Sequence, residues 1–220
     1  MTRRLLGVLL ATLGCSLALA ASPQSGWNEA YAEKTEALGL RGDLVRGKGA
    51  FIVCRGCHRA DALGREDGSY PRLAGQHATV LIKQLTDVRS GRRSNPKMLP
   101  FADHHEISVQ GVADIAAYLQ ALPVPANQGQ GPGKHLTRGR QIYEADCATC
   151  HGARGEGNAE KFYPRVSGQH YRYLLREARM IRDGMRHNAN PDMIKAIRKY
   201  SNAKIAAVSD YMSRLAVDRP

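Results

Sequence analysis

One five-residue pattern occurs twice in this chain and restricts what it can fold into. It is Cys-Arg-Gly-Cys-His at 54–58 and Cys-Ala-Thr-Cys-His at 147–151. Two cysteines three apart, with a histidine directly after them, form the attachment signature of c-type haem. The two thiols add to the vinyl groups of one porphyrin, and the adjacent imidazole then lies under the iron as its proximal ligand.

Two other chemistries use Cys-x-x-Cys pairs. Zinc sites place two such pairs about 15–20 residues apart, whereas these pairs are 93 residues apart. A thioredoxin-like redox pair needs no histidine beside its second cysteine. The pattern therefore predicts two covalently bound haem c groups. We expect thioether links at Cys54, Cys57, Cys147 and Cys150, with His58 and His151 as iron ligands.

The N-terminus has the features of an export signal. Arg3 and Arg4 precede an apolar run from Leu5 to Ala21, which ends in small residues. This arrangement predicts a cleaved secretory signal peptide over residues 1–21. The run is short against the ~20 apolar residues of a membrane span, so an uncleaved anchor is the less favoured alternative. After cleavage, four of the five cysteines remain and the two motifs use all four, which agrees with a periplasmic location.

The chain is basic, with 32 Lys and Arg against 20 Asp and Glu and a net charge of +12. An exported chain with two haem motifs gives no reason to expect a nucleic acid as partner. The charge is either solvated surface or a means of steering the protein toward an acidic redox partner or an anionic membrane face. We expect protein redox partners with acidic docking surfaces, such as a terminal oxidase, a quinol-oxidising complex or a periplasmic reductase. Any membrane association is expected to be peripheral.

The spacing of 93 residues recurs outside the two motifs. Tyr-Pro-Arg-Leu-Ala-Gly-Gln-His at 70–77 returns as Tyr-Pro-Arg-Val-Ser-Gly-Gln-His at 163–170, with six of eight positions identical. Such a repeat indicates an internal duplication. A Pro- and Gly-rich segment at 123–133 separates the copies and is typical of a linker. The sequence thus predicts two domains, at 27–122 and 134–217.

Each copy has three segments with helical spacing and no alternating pattern long enough for a strand, which predicts an all-α fold. The first helix leads into each motif, near 44–53 and 137–146. The second follows each Gly-Gln-His and is predicted to end at Gly91 or Gly184.

The third helix of each copy is predicted to begin at a serine that caps it, Ser108 or Ser201. Its aromatic residue is expected to pack on the first helix of the same copy, where a glycine allows close approach. This assigns four aromatic residues to packing and not to electron relay: Phe51, Tyr118, Tyr143 and Tyr211.

The group that fills the sixth position of each iron decides between a carrier and an enzyme. Methionine is a soft ligand that raises the reduction potential. An Asn-Pro-x-Met pattern in a Pro-rich loop supplies Met98 in the first copy, and the second copy repeats it at Met193, two residues farther along. We expect these two methionines to be the distal ligands. The rival ligands are two other methionines and three histidines, Met180, Met185, His104, His105 and His187.

Three more residues of the repeated segment have predicted roles near a haem. The carbonyl of Pro71 is expected to accept the second N–H of the proximal imidazole and so to fix the ring. Arg72 is expected either to pair with a haem propionate or to be exposed. His77 is expected to hydrogen-bond a propionate or solvent rather than iron. The equivalents in the second copy are Pro164, Arg165 and His170.

With these motifs together, the chain resembles the dihaem cytochrome c4 family over nearly all of its mature length. The resemblance implies two class I cytochrome c domains related by a pseudo-twofold axis, with haem propionates near a shared interface. It also implies electron transport in the periplasm, often to terminal oxidases or other respiratory enzymes. The chain departs from the family pattern in its basic charge and at 194–196, where Ile-Lys-Ala replaces the Leu-Pro-Phe of 99–101. Carried over to this sequence, the resemblance gives Cys54 and Cys57 as thioether links with His58 and Met98 axial, and Cys147, Cys150, His151 and Met193 likewise.

Two classes of function fit these residues. Closed coordination of both irons predicts a shuttle in which the protein supplies ligands, burial and a docking edge. A dihaem oxidoreductase, of the peroxidase or thiosulfate dehydrogenase type, instead needs an open or labile position at one iron. A third possibility is the dedicated electron-accepting subunit of such an enzyme. No spare cysteine remains after cleavage, which disfavours cysteine-ligated catalysis. With both irons expected to be six-coordinate, we predict an electron-transfer protein and not an enzyme.

Overall fold

The computed structural model describes residues 26–126 and 129–216. The predicted signal peptide at 1–21 lies outside these residues, as do 127–128 of the predicted linker and 217–220. Within the described part the chain is helical and has no strand, only one isolated antiparallel bridge between Asn158 and Tyr163. No helix in the described part is long and apolar enough to cross a membrane. The predicted all-α fold is confirmed.

The helices fall into two series that repeat the order expected from the duplication. In the first half a 3₁₀-helix at Phe51–Cys54 joins the second α-helix to the third. The first-half helices are α1 (Ala32–Gly39), α2 (Leu44–Ala50), α3 (Arg55–His58), α4 (Ala78–Arg89), α5 (Leu99–Ala102) and α6 (Val109–Ala121). The second-half helices are α7 (Leu136–Asp146), α8 (Ala148–His151), α9 (Tyr171–Arg182), α10 (Pro191–Ile197) and α11 (Asn202–Arg214).

In each half the helix before the haem motif crosses the last helix at a glycine. A side chain at Gly47 of α2 would overlap the carbonyl oxygen of Asp114 in α6, and Gly139 of α7 meets α11 in the same way. The aromatic residues pack beside these crossings. The ring centroids of Phe51 and Tyr118 are 5.9 Å apart, and those of Tyr143 and Tyr211 are 5.6 Å apart. The predicted close approach and packing roles are confirmed.

Local signals place the ends of the longer helices. Ser108 caps α6, because its hydroxyl accepts the Gly111 N–H at 3.0 Å, and Ser201 caps α11 by accepting the Lys204 N–H at 3.2 Å. Gly91 follows α4 with a left-handed backbone, φ 75°, which a side chain would disfavour. Both the capping serines and the glycine stops were therefore readable from the sequence.

The two methionine segments differ from the predicted irregular loops. Met98 is the N-cap of the short helix α5, and Met193 lies inside α10. The prolines were interpreted as helix breakers, but proline is favoured in the first turn of a helix, where its missing N–H costs nothing. Pro191 begins α10 in this way, and the Asn190 side chain caps that helix by accepting the Asp192 N–H at 2.8 Å.

One non-glycine residue of the first half sits where the second half has glycine. Arg59 ends α3 at φ 69°, ψ 162°, and its repeat equivalent Gly152 ends α8 at φ 82°, ψ 158°. This region of backbone space is open almost only to glycine and costs other residues about 1–3 kcal/mol. We therefore expect strain at Arg59 that the second half does not have.

Replacing Arg59 with glycine is expected to stabilise the protein by about 1 kcal/mol. Release of the backbone strain is partly offset by glycine's entropy in the unfolded chain, ~0.5–1 kcal/mol, and by loss of the exposed Arg59–Asp61 ion pair. Urea denaturation of the haem-loaded protein measures the change. Arg55→Gly, at a position with helical backbone dihedrals, serves as the control and should destabilise. An unchanged or lowered midpoint for Arg59→Gly would show that this position is unstrained.

Candidate haem-binding sites

The first haem motif folds so that its histidine points one ring nitrogen at a backbone carbonyl. His58 closes the single turn of α3, and its Nδ1 lies 3.3 Å from the carbonyl oxygen of Pro71. A carbonyl can only accept, so Nδ1 carries the proton and Nε2 is left with the lone pair that binds a metal. Burial lowers the pKa of His58, which favours the neutral, ligating form. The predicted role of the Pro71 carbonyl is confirmed.

The second motif repeats this geometry. His151 closes α8, and its Nδ1 lies 3.0 Å from the carbonyl oxygen of Pro164. Burial lowers the pKa of His151 as well. The hydroxyl of Tyr143 donates to the Gly152 carbonyl at 2.6 Å and so ties the end of α8 to the core. Each motif is therefore held by the same bond to the proline of the repeated segment.

The cysteines of both motifs are available for attachment. None of the four described cysteines forms a disulfide. Burial raises the pKa of Cys54 to about 11 and that of Cys147 to about 12. Cysteines outside any disulfide and beside an oriented imidazole agree with covalent attachment of a haem.

A cavity of about 350 Å³ lies beside the first motif. Cys54, Cys57 and His58 line it together with Met98, and its walls include Leu81 and other apolar side chains of α4 and α6. Such a volume lies within the range of ordinary ligand pockets, roughly 300–1,000 Å³. The structure thus brings all four predicted residues of the first site to one apolar cavity, which suits a flat hydrophobic macrocycle anchored at two thiols.

Two contacts in the first site were missed by the sequence analysis. The side-chain amide of Asn95 donates to the Met98 sulfur at 3.7 Å and orients it. Tyr70 packs edge-on against the His58 ring with centroids 5.8 Å apart. The Asn-Pro-x-Met repeat could have indicated the first contact, since the asparagine recurs with the methionine.

In the second half, Met193 is half-buried and packs against the core that contains Cys147 and Leu174. The rival methionines lie elsewhere. Met180 and Met185 belong to the second half but line the cavity beside the first motif, and His187 does the same. This placement favours Met193 over Met185 for the second site.

The remaining rival ligands lie on the surface. His104 and His105 are exposed. The Nδ1 of His104 contacts the Arg89 guanidinium and lies 3.7 Å from a Glu33 carboxylate oxygen. The described geometry therefore places these two rival ligands on the surface and not at a haem site.

The Gln of each repeated segment clamps the two halves together. Gln169 accepts the Arg72 N–H at 3.0 Å and donates to the Arg72 carbonyl at 2.9 Å. Gln76 makes the mirror-image pair with Arg165, accepting at 2.9 Å and donating at 3.0 Å. These four reciprocal bonds, here called the glutamine clamp, give the junction its pseudo-twofold symmetry.

The other residues of the repeated segment also reach across the junction, which corrects their predicted roles. Nε2 of His77 lies 2.7 Å from the Glu156 carbonyl, and Nε2 of His170 lies 2.6 Å from the Leu63 carbonyl. Nε2 of each histidine is thus bonded to a backbone carbonyl of the other half. The buried Arg72 guanidinium likewise donates to the Ser167 and Gly168 carbonyls. The six identities of the repeat signalled this junction, but they were explained by the haem alone.

A cluster of arginines lies where the first cavity meets the second half. Arg186 donates to Glu177 at 2.9 Å and to Gln84 at 2.9 Å, and Arg93 contacts the same two side chains. Arg93, Arg176 and Arg186 together surround the single carboxylate of Glu177 and also line the cavity. This excess of positive charge suits the anionic propionates of a bound haem.

Comparison with known proteins agrees with this geometry. A family model described as Cytochrome c matches twice in tandem, at residues 44–123 and 136–216. A cytochrome c4 from Azotobacter vinelandii is 35% identical over 189 residues, which cover 79% of this chain and 90% of that protein. This chain belongs to the dihaem cytochrome c4 family. A crystal structure of reduced recombinant cytochrome c4 from Pseudomonas stutzeri matches with a TM-score of 0.71 at 29% identity, covering 80% of this chain and 100% of that one.

Another relative has a more specific description. A thiosulfate dehydrogenase electron acceptor from Stutzerimonas stutzeri (strain A1501) is 37% identical over 178 residues, 76% of this chain and 80% of the relative. The cytochrome c4 family consists of electron-transfer proteins, so this chain is an electron-transfer protein and not an enzyme. It carries two covalently bound haem c groups, at Cys54 and Cys57 and at Cys147 and Cys150.

The junction histidines are expected to make the stability of this cytochrome sensitive to acid. Burial lowers the pKa of both, and a nearby arginine adds to the effect, Arg165 beside His77 and Arg72 beside His170. The backbone carbonyl that each ring contacts raises the pKa and so opposes this shift in part. Glu66 and Asp67 also raise the pKa of His170. The Nδ1 of His170 is buried and has no hydrogen-bond partner among the described residues, so a proton there would lack an acceptor.

Stability is therefore expected to fall as the pH falls below about 6.5, the pKa of histidine in an unfolded chain. The unfolded state binds protons there before the folded state does, so the stabilisation present above pH 6.5 is lost progressively toward lower pH. Urea denaturation at pH 8 and pH 5 measures the slope. Replacing both histidines with glutamine keeps an amide donor for the two carbonyls and should flatten the slope. An unchanged slope would assign the acid sensitivity to other groups.

Proposed function

We propose that this protein is a periplasmic electron carrier in which each haem is held by a histidine and a methionine. The ligand pairs are His58 with Met98 and His151 with Met193. The observation that supports the proposal most directly is that His58 and Met98 line one apolar cavity while the Pro71 carbonyl holds the imidazole in the ligating tautomer. When bound, the haem iron supplies reversible one-electron chemistry.

The surrounding residues suit a carrier because hydrogen bonds hold the proposed iron ligands in position. Asn95 orients the Met98 sulfur, and the proline carbonyls fix both imidazoles. Two strong-field ligands that stay bound in both oxidation states keep the rearrangement on electron transfer small. A peroxidase would instead need one iron with a free position.

The absorption spectrum of the ferric protein tests this proposal. We expect a sulfur-to-iron charge-transfer band that accounts for two methionine-ligated low-spin haems, and two electrons per chain in a reductive titration. A high-spin fraction that binds cyanide or peroxide rapidly would overturn the carrier and favour the enzyme. Fractionation of cells that express the full chain tests the periplasmic location separately.

A second candidate is narrower, an electron acceptor for thiosulfate dehydrogenase. The 37% identity to a protein described in those words favours it. Stopped-flow mixing of the oxidised protein with purified thiosulfate dehydrogenase and thiosulfate tests it through the rate of haem reduction. Reduction at a rate first order in the dehydrogenase would support this role. Reduction no faster than with thiosulfate alone would remove it and leave the general carrier, with acidic redox proteins such as terminal oxidases as candidate partners.

A further inference from the structure

The N-terminal part of the first half covers the outer face of α4. Residues 27–39, here called the N-terminal strap, contain α1, which packs against α4 and α6. The Tyr31 hydroxyl of the strap lies 2.7 Å from the Thr86 hydroxyl and 3.0 Å from an Asp87 carboxylate oxygen. Thr86 and Asp87 are both buried. The strap thus provides polar partners to α4 side chains that solvent does not reach.

Aromatic and acidic side chains of the strap also contact the cations of this face. Trp27 faces Lys83, whose Nζ lies 5.7 Å from the ring centroid. The Arg92 guanidinium lies over the Tyr31 ring at 4.1 Å and pairs with Glu29 at 3.5 Å. The strap is therefore a peptide segment that binds a helix face through one acid and two aromatic rings.

The same face of α9 lacks such a cover among the described residues. The spacing of 93 maps the strap onto 120–132, where the described residues form no helix after the end of α6. A groove of about 400 Å³, here called the α9 groove, lies on that face. Five of its lining residues occupy the repeat positions of first-half residues near Trp27 or Tyr31. They are Arg176 for Lys83, Arg179 for Thr86, Met180 for Asp87, Asp183 for Ser90 and Met185 for Arg92.

The α9 groove is separate from both haem sites. Arg172, Leu175 and Arg179 line the groove and do not line the cavity beside the first motif. Their equivalents on α4 do not line that cavity either, so we do not expect the second haem to cover the groove. These equivalents are Thr79, Ile82 and Thr86. The groove is thus a surface of its own, and the repeat shows what kind of segment such a surface holds.

The groove carries positive charge that the described residues leave free. The guanidinium groups of Arg172 and Arg179 form no hydrogen bond or ion pair within the described part of the chain, and Nε of Arg179 is buried without a partner. The acids at the groove are already engaged, since Arg182 binds Asp183 at 2.7 Å and the Ser69 N–H donates to Asp67 at 2.8 Å. An occupant with carboxylates would complement the two free arginines.

We propose that the α9 groove binds an acidic segment of another protein that presents an aromatic side chain, as the strap presents Tyr31 to α4. The carboxylates of the segment pair with Arg172 and Arg179, and its ring packs on Leu175. Such a site holds the protein in a complex through a face that leaves the first haem cavity accessible. The proposal goes beyond the carrier function proposed above and does not depend on it.

The probe is a synthetic peptide with the sequence of residues 26–40 and one substitution, Lys34→Glu. Lys34 lies near Asp87 in the first half, and α9 has methionine at the position of Asp87, so the lysine would lose that charge partner in the groove. The peptide is titrated into reduced, ¹⁵N-labelled holoprotein at about 0.05 M salt, where exposed charges are only weakly screened. Nuclear magnetic resonance should show amide shifts centred on Arg172, Leu175 and Arg179.

Variants of the protein and of the peptide test each part of the contact. Arg172→Glu/Arg179→Glu should weaken peptide binding at least about tenfold, because repulsion replaces attraction at two positions. The matched control Arg138→Glu/Arg198→Glu changes two exposed arginines of the second half that do not line the groove, and should weaken binding less than about twofold. A peptide that also carries Tyr31→Ala should bind about fivefold more weakly, because its ring is lost.

The ferrous haem spectrum shows whether a variant is folded, and an altered spectrum in the parent protein would affect the carrier function and not the groove. Should the charge-reversed protein lose that spectrum, Arg172→Gln/Arg179→Gln replaces it with an expected loss of about threefold.

Several outcomes would overturn the proposal. Shifts centred outside the groove, equal weakening by the control, unchanged binding of the Tyr31→Ala peptide, or no binding at about 1 mM peptide would each do so. Binding to phosphatidylglycerol vesicles in place of the peptide, if Arg172→Glu/Arg179→Glu abolished it, would assign the groove to a membrane surface. A dimer in sedimentation that the same variant dissociates would make a second copy the occupant.

Discussion

Replacing Met98 or Met193 with alanine is expected to open the sixth position of one haem while the other stays closed. The thioether is lost, and the rival histidines His104 and His105 lie on the surface, where they do not replace it. Each single variant should therefore lose half of the sulfur-to-iron charge-transfer band and gain one high-spin haem that binds cyanide. The double variant should lose the whole band.

The reduction potential of the affected haem is expected to fall, since methionine favours ferrous iron. A drop on the order of 0.1–0.2 V is reasonable within the ~0.8 V that axial ligands span. A spectroelectrochemical titration resolves the reduction potentials of the two haems and shows which potential has changed. Met98→Ala should lower the potential of the haem attached at Cys54 and Cys57, while Met193→Ala should leave that haem unchanged.

Met185→Ala is the matched control, because Met185 is 63% exposed and lines the first cavity from the second half. The Met185→Ala variant should leave the sulfur-to-iron charge-transfer absorption of both haems unchanged. If Met185→Ala opens a haem and Met193→Ala does not, the ligand assigned to the second site is wrong. If neither Met98→Ala nor Met193→Ala opens one, methionine ligation itself is wrong.

The haem sites could be predicted from the sequence because their chemistry is local. Covalent attachment requires two thiols at fixed spacing and a histidine directly after them, so the pattern at 54–58 needed no knowledge of the fold. The Pro71 carbonyl could be predicted because the duplication shows which proline recurs at the same distance from each motif. Met193 could be chosen by the same repeat, although its helix α10 was mistaken for a loop since proline both ends helices and begins them.

The domain junction could not be predicted in the same way. A buried Gln or His near a cofactor can satisfy its hydrogen bonds with the cofactor or with a second surface, and both choices leave the same sequence pattern. His77 was placed in the context of a haem because the haem was the only partner that the sequence specified, and Gln76 was given no role. Their partners, Glu156 and Arg165, lie 79 and 89 residues away, and only the packing of the halves brings them together.

Replacing Gln76 and Gln169 together with alanine is expected to uncouple the two halves without changing either haem. The change removes the four bonds of the glutamine clamp and leaves the N–H and carbonyl groups of Arg72 and Arg165 without those partners. Each group left unsatisfied in a buried position costs about 1–3 kcal/mol. Four such groups sum to about 4–12 kcal/mol, with the two at Arg165 toward the lower end because they are only partly buried. This sum is comparable with the whole stability of an ordinary domain. We therefore expect the single unfolding transition of a coupled pair to split into two.

Differential scanning calorimetry follows the split, and the fluorescence of Trp27 reports the junction independently. Trp27 is the single tryptophan of the chain, and its ring stacks on Tyr163 of the other half at 6.0 Å. Gln120→Ala is the control, because Gln120 makes its bond to the Ala78 N–H within the first half. The control variant should shift the midpoint of the first transition only slightly and leave the fluorescence of Trp27 unchanged.

One sharp transition in the double variant would mean that the glutamine clamp is dispensable and that the arginine cluster around Glu177 holds the halves together. An altered charge-transfer band would mean that the glutamines also support the haem ligands. Two transitions with an unaltered band would assign the repeated segment two separate tasks, its proline orienting the iron ligand and its glutamine joining the domains.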